Sequence, residues 1–279
     1  MARIVLGGRG SAVAVAQTRT VLADLMAEWP DVQFTQRTFP TDADLLSAVT
    51  RGQFGVALFD LATLPPSLPE GVALAAVTKR LEPRTALVTK NRSTLAELPP
   101  NAAVGVQGAR DEAFVCAARA DLQPKTLTGN LDAQLAELAA ERVHALLVPC
   151  AHLSELGRRS QTDTLLEPDL FPPAPGQGST GLVVQQDDDM AYELAYSLQH
   201  RPSFDRMTAE RAFAAVFETH DRYKVGALAT VTSDGELTLF GAGTDRENAL
   251  SVQAEVVGEA AEAAALGREL GMDVLEQLG

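Results

Sequence analysis

The order of strand-like and helix-like stretches limits what this chain can fold into more than any single residue does. Arg3 to Gly8, RIVLGG, is a short apolar run that ends in glycines. Ala12 to Glu28 then places Val13, Ala16, Val21, Leu22 and Met26 at helical spacing. Asp31–Phe39 alternates as a strand, Asp42–Arg51 reads as a helix, and Phe54–Phe59 and Val72–Lys79 read as strands. Strand–helix–strand repeats of this kind close as right-handed βαβ units over a mainly parallel sheet. A second series follows, with strands at Thr85–Thr89, Ala103–Val106, Lys125–Leu127 and Ala145–Val148. Its helices are Ala109–Ala120 and Leu131–Ala140, the latter with Asn130 placed to cap it. Gly181–Gln185 supplies one more strand and Asp189–His200 a helix.

From Pro202 the pattern changes. Ala209, Ala212, Phe213, Val216 and Phe217 recur on one helical face, with Glu210 and Arg211 expected on the other. A polar turn, Glu218 to Arg222, delivers the chain into strands at Tyr223–Thr232, Glu236–Gly243 and Asn248–Val256. Ser233-Asp234-Gly235 is a hairpin turn, and Glu259–Leu278 is a helix with Ala265, Leu266, Leu270 and Val274 inward. This order predicts a three-stranded antiparallel sheet with helices on one face.

At 279 residues the chain exceeds one small core and suits two or three domains. A net charge of −14 argues against a nucleic-acid surface, which needs clustered Lys and Arg. No long apolar run predicts a transmembrane helix, and Arg3 and Arg9 interrupt the first apolar stretch, unlike a signal peptide. The expectation is a cytoplasmic monomer without membrane or nucleic-acid partners. Cys116 and Cys150 form neither a disulfide framework nor a metal site, so both are expected reduced and no metal is expected.

Several strings carry a family resemblance: TAERAF from Thr208, PAPGQG from Pro173, LPPSLPEGV from Leu64, and Glu82-Pro83-Arg84. Together they resemble hydroxymethylbilane synthase, also called porphobilinogen deaminase. The resemblance implies an α/β fold with two hinged binding-protein-like α/β domains around a cleft, plus a small α/β third domain. Residues 1–80 with 174–198 would form the first domain, 84–168 the second and 201–279 the third. It also implies tetrapyrrole (porphyrin) biosynthesis by a transferase that joins porphobilinogens, with release of ammonia, on a dipyrromethane primer held by a cysteine thioether. Arg9, Ser11 and Gln17 match positions before and within the first helix, where the family's Arg and Ser contact carboxylates.

The sequence departs from that pattern at named positions. Asp221 stands where the family has the primer-bearing cysteine, with Thr219 and His220 at its glycines. Thr63 stands at the catalytic aspartate and Ala62 at the neighbouring lysine, while Asp60 lies three residues earlier. The family's mobile covering loop, expected after Thr41-Asp42, is absent. Of the family's arginines, Arg110 remains, whereas Asp111, Thr128-Gly129-Asn130, Gln134 and Glu155 occupy other positions. The expectation is therefore a divergent member without the dipyrromethane cofactor, binding a small anionic ligand through Arg9, Ser11, Asp60, Thr63, Gln107, Arg110, Asp111, Thr128 and Gly129. Arg9 and Arg110 would hold the anion from opposite domains. The alternatives are an active synthase that joins four porphobilinogens and a non-catalytic protein-interaction homologue.

Overall fold

The computed structural model describes residues 3–162, 164–245, 247 and 250–279, and these form three α/β units. The first begins with β1 (Arg3–Arg9), α1 (Ala12–Glu28), β2 (Gln33–Phe39), α2 (Asp42–Thr50), β3 (Val56–Asp60) and β4 (Val72–Val77). The chain then crosses into β5 (Thr85–Thr89), β6 (Ala103–Val106), α3 (Ala109–Ala118), β7 (Gln123–Thr126), α4 (Leu131–Ala139), β8 (Ala145–Pro149), α5 (Cys150–Glu155) and β9 (Thr164–Leu165). It returns to the first unit as β10 (Thr180–Gln185) and α6 (Asp189–Tyr196). The last unit is α7 (Arg201–Ala215), β11 (Lys224–Val231), β12 (Glu236–Asp245), β13 (Leu250–Glu259) and α8 (Ala263–Leu278).

The sheets run β2-β1-β3-β10-β4, β7-β6-β8-β5-β9 and β11-β12-β13. In the first, β1 pairs parallel with β2 and β3, whereas β10 lies antiparallel to β3 and β4. In the second, β6 pairs parallel with β7 and β8, and β5 runs antiparallel to β8 and β9. In each, the antiparallel strand is the one by which the chain enters from the other unit, β10 in the first sheet and β5 in the second. Side-chain caps start the helices where the sequence offers them: Ser11 accepts from Ala14 N–H at 3.2 Å, Thr41 from Asp44 at 3.0 Å and Asn130 from Ala133 at 3.0 Å. Gly7 has no substitute, because a Cβ there would meet the Phe54 ring at 2.4 Å.

The helix α5 and the two-residue β9 are not anticipated by periodicity, since both are too short to show a period. The expected helix at Asp189–His200 ends at Tyr196, and α7 starts at Arg201 with Pro202 in its first turn. The third strand is described from Leu250, so the expected start at Asn248 lies outside the described residues.

Glu210 and Arg211 lie off the Ala209–Phe213–Phe217 face, as expected, and that second face is buried as well: Glu210 is 0% exposed and Arg211 9%. The sheet-facing side of α7 packs Ala209, Phe213 and Phe217 against β11, β12 and α8, while the opposite side meets the first unit. There Glu210 receives Arg80 Nη1 at 2.6 Å and Nη2 at 3.2 Å, Gly176 N–H at 2.8 Å and Ala229 N–H at 2.8 Å. One carboxylate thereby ties the first crossing segment, the PAPGQG turn and β11. Arg211 donates to the carbonyls of Leu64, Pro65 and Pro66 at 3.3, 2.6 and 2.7 Å, which anchors the loop after β3. Burial pulls its guanidinium down to about 10.

Removing one partner of a buried pair leaves the other charged and unsatisfied. Glu210→Ala and Arg80→Ala should therefore each cost about 3–5 kcal/mol. Urea unfolding should show the double variant costing far less than the sum of the two.

Candidate active-site cleft

Two segments join the first and second units and run side by side. Thr78 N–H donates to Thr180 O at 3.0 Å and Leu81 N–H to Gly178 O at 2.8 Å. Gln177, 4% exposed, donates from Nε2 to Pro83 O at 2.6 Å and to Thr85 Oγ1 at 3.1 Å. Gly178 holds φ +84° with the carbonyls of Leu81 and Glu82 3.2 Å from where a Cβ would sit. The PAPGQG string is thus the lock of a two-segment hinge.

Beside this hinge a cavity of about 340 Å³ lies between the two units. The N-terminal turns of α1 and α4 reach it from opposite sides, through Ser11 to Ala14 and through Asn130 and Leu131. Free N–H groups and the positive end of each helix dipole accompany those turns. Arg9 lines the wall but is held by Asp42 at 2.9 Å. Asp60, from the end of β3, meets His152 of α5 with 2.8 Å between Oδ2 and Nε2, so the two domains touch directly across the cleft. Gln17 and Gln134 line the cavity while 8% and 7% exposed. Gln134 donates to Gly129 O at 3.3 Å, whereas the Gln17 amide has no partner among the described residues.

Of the residues singled out from sequence, Arg9, Ser11, Asp60, Thr63, Gln107 and Gly129 line this cavity. Arg110, Asp111 and Thr128 do not. Arg110 donates from Nε to Val225 O at 2.9 Å and from Nη2 to Pro172 O, and pairs with Asp111 at 3.0 Å. Its guanidinium lies 4.9 Å from the Phe114 ring centroid, and burial pushes its pKa down. The pairing of Arg9 with Arg110 across a bound anion is therefore corrected: Arg110 is a brace between the second and third units, where Gly226 alone leaves room for it, 2.9 Å from a would-be Cβ. Asp221 is exposed on its turn and outside the cavity, and its carbonyl accepts from Lys224 Nζ. Sequence reading passed over Gln17, Asp42, Asn130 and Gln134 as site residues, and His152 carried no spacing signal that could have marked it.

Glu155, one turn beyond His152, is raised by burial, with His152 lowering it and Asp60 raising it further. It lines a smaller cavity of about 140 Å³ behind the first, with Asp24 and Lys79.

Two α/β units on a double crossover, with helix N-termini facing the cavity between them, define a two-domain, binding-protein-like architecture. A solved Bacillus subtilis lipoprotein assigned to methionine binding shares this fold with TM-score 0.50 and 9% identity, over 78% of this chain and 95% of that one. A sequence model described as "Porphobilinogen deaminase, dipyromethane cofactor binding domain" matches residues 43–193. Porphobilinogen deaminase of Thermus thermophilus is 38% identical over 99% of this chain and 96% of its own length, and that of Deinococcus radiodurans 34% over the same shares. The chain belongs to the porphobilinogen deaminase family, whose work is tetrapyrrole biosynthesis.

That finding overturns the expectation that dipyrromethane has no place here, because the matched stretch is the family's domain for that cofactor. The described residues do not, however, fit a thioether at the family's attachment position. Asp221 offers a carboxylate there, Cys150 is 2% exposed with its sulfur 3.8 Å from Thr162 Oγ1, and Cys116 lies on α3. No described helix is long and apolar enough to cross a membrane.

A carboxyl raised in the folded state favours the protonated form, so its contribution is present below the ordinary glutamate range and lost as pH rises above it. Glu155→Gln should accordingly raise the melting temperature at about pH 7–8 and leave it unchanged at about pH 3–4, by scanning calorimetry.

Proposed function

We propose that this member of the family binds one small anion, of the size of a single pyrrole dicarboxylate, in the cleft between its first two units rather than extending a pyrrole chain there. The observation that carries this reading is the cavity's size and charge. At about 340 Å³ it stands at the small end of ligand sites. Its one lining arginine is already paired with Asp42, and the other polar groups are amides, hydroxyls, helix N-termini and the Asp60–His152 pair. Porphobilinogen is an aminomethylpyrrole carrying two carboxylates and, when protonated, one ammonium, so its net charge is low. A growing polycarboxylate chain would need several free cations. The rival reading, an active synthase, draws on the 38% identity to the Thermus thermophilus relative along nearly the whole chain.

Calorimetry with porphobilinogen separates the two. Binding of the monomer should weaken by about 1.5–3 kcal/mol in Arg9→Ala, the usual range for a charge-assisted hydrogen bond. Arg110→Met should lower stability and leave the affinity unchanged. Formation of hydroxymethylbilane by the wild-type chain would overturn the proposal in favour of the synthase.

A further inference from the structure

The single-pyrrole reading leaves one arrangement in the cleft without a task. Asp60 and His152 come from different domains, yet stand 2.8 Å apart on the cavity wall. Asp60 is also fixed from its own side, where Oδ1 accepts the Ala62 N–H at 3.0 Å. A carboxylate can only accept, which assigns the shared proton to Nε2, and in the neutral imidazole of that tautomer Nδ1 is the atom with the lone pair. Among the described residues no protein group meets Nδ1. An imidazole whose tautomer is set by a carboxylate is the arrangement used by general bases.

Among the described lining residues no other group is placed for that task. Thr63, at the position where the family carries a carboxylate, donates its hydroxyl to Asp60 O at 3.1 Å. Asp42, the other lining carboxylate, is taken up by Arg9. The charged groups around the pair are that Arg9–Asp42 bridge on the cavity wall and Glu155 on α5, with Asp24 and Lys79 beyond it.

We propose that His152, oriented by Asp60, is the proton-accepting residue for hydrolytic release of ammonia from a single aminomethylpyrrole bound in the cleft. The proposal rests on the single-pyrrole reading. In the ammonium form of the substrate the exocyclic C–N bond breaks and its electron pair leaves with ammonia. The ring nitrogen's lone pair forms a C=N bond within the ring, the ring double bonds shift so that the pair beside the leaving group forms the exocyclic C=C bond, and the ring N–H proton passes to His152 Nδ1. The resulting imidazolium faces the Asp60 carboxylate. Water then adds to the exocyclic carbon, the imidazolium returns its proton to the ring nitrogen, and the surplus proton of the added water passes to the released ammonia. The balance is aminomethylpyrrole plus water to hydroxymethylpyrrole plus ammonia, with no change of oxidation state.

The test incubates the full chain with porphobilinogen and follows ammonium release, with the product identified by mass. The wild type should release ammonium and yield the hydroxymethylpyrrole. His152→Asn and Asp60→Asn should each lose about 10²–10⁴ in rate, the ordinary contribution of a positioned base. His152→Gly should regain part of its rate with added imidazole, which a merely structural histidine would not show. Porphobilinogen binding without ammonium release, release indifferent to both variants, or a chain-extended product would each overturn the assignment. Absence of porphobilinogen binding would instead sink the single-pyrrole reading, and this proposal with it.

Discussion

The Glu210 carboxylate and the four donors that converge on it hold the three units in one arrangement. A charge removed from water costs several kcal/mol unless its lone pairs are met. Here two guanidinium N–H groups and two backbone N–H groups meet them. Those donors come from the first crossing segment, from the return turn and from β11. None of the three can shift without exposing an unmet partner, so the hinge and the third unit are fixed by the same contact. Arg80 adds a further bond from Nε to Gln177 O at 3.0 Å, which draws the turn's glutamine into the network. The two strings that carry the family resemblance, TAERAF and PAPGQG, are the two sides of this one site.

Given that frame, the cleft's chemistry follows from which cations are left over. Arg80, Arg110 and Arg211 are all spent on holding units together, through Glu210 or through backbone carbonyls. Arg9 lines the cavity, and Asp42 offsets its charge. The protein carries a net charge of −14, so no general field compensates for the lack of free cations. What remains on the cavity wall besides its apolar side chains is a set of amides, hydroxyls and helix N-termini, together with one imidazole held by a carboxylate.

The third unit illustrates how a motif position can change its task. The turn from Glu218 to Arg222 leaves Asp221 in solvent, while Glu218 reaches back to the first unit and accepts from Ser67 N–H at 2.8 Å and Ser67 Oγ at 2.6 Å. Arg222 pairs with Asp245, which is fully buried. The turn therefore works as a contact between units and along its own sheet, with its polar residues directed away from the cleft.

Strand and helix order, most element limits within a few residues, the Asn130 cap and the hinge strings were legible in the sequence, because each depends on neighbours a few residues away. Ser11, Thr41 and Asn130 cap the helices that follow them through bonds spanning three residues. The family was legible as well, since its strings are local. Tertiary structure alone decided which side of α7 was solvated: a helical period separates two faces but cannot tell water from a second domain, and Glu210 and Arg211 proved buried. It also decided that Arg110 braces the third unit instead of facing the cleft, a matter of a carbonyl 115 residues away. The Asp60–His152 pair joins residues 92 apart in the chain, and no spacing rule reaches that far. Local patterns fix elements, whereas the partners of a buried charge are set by whichever distant backbone the folded units bring against it.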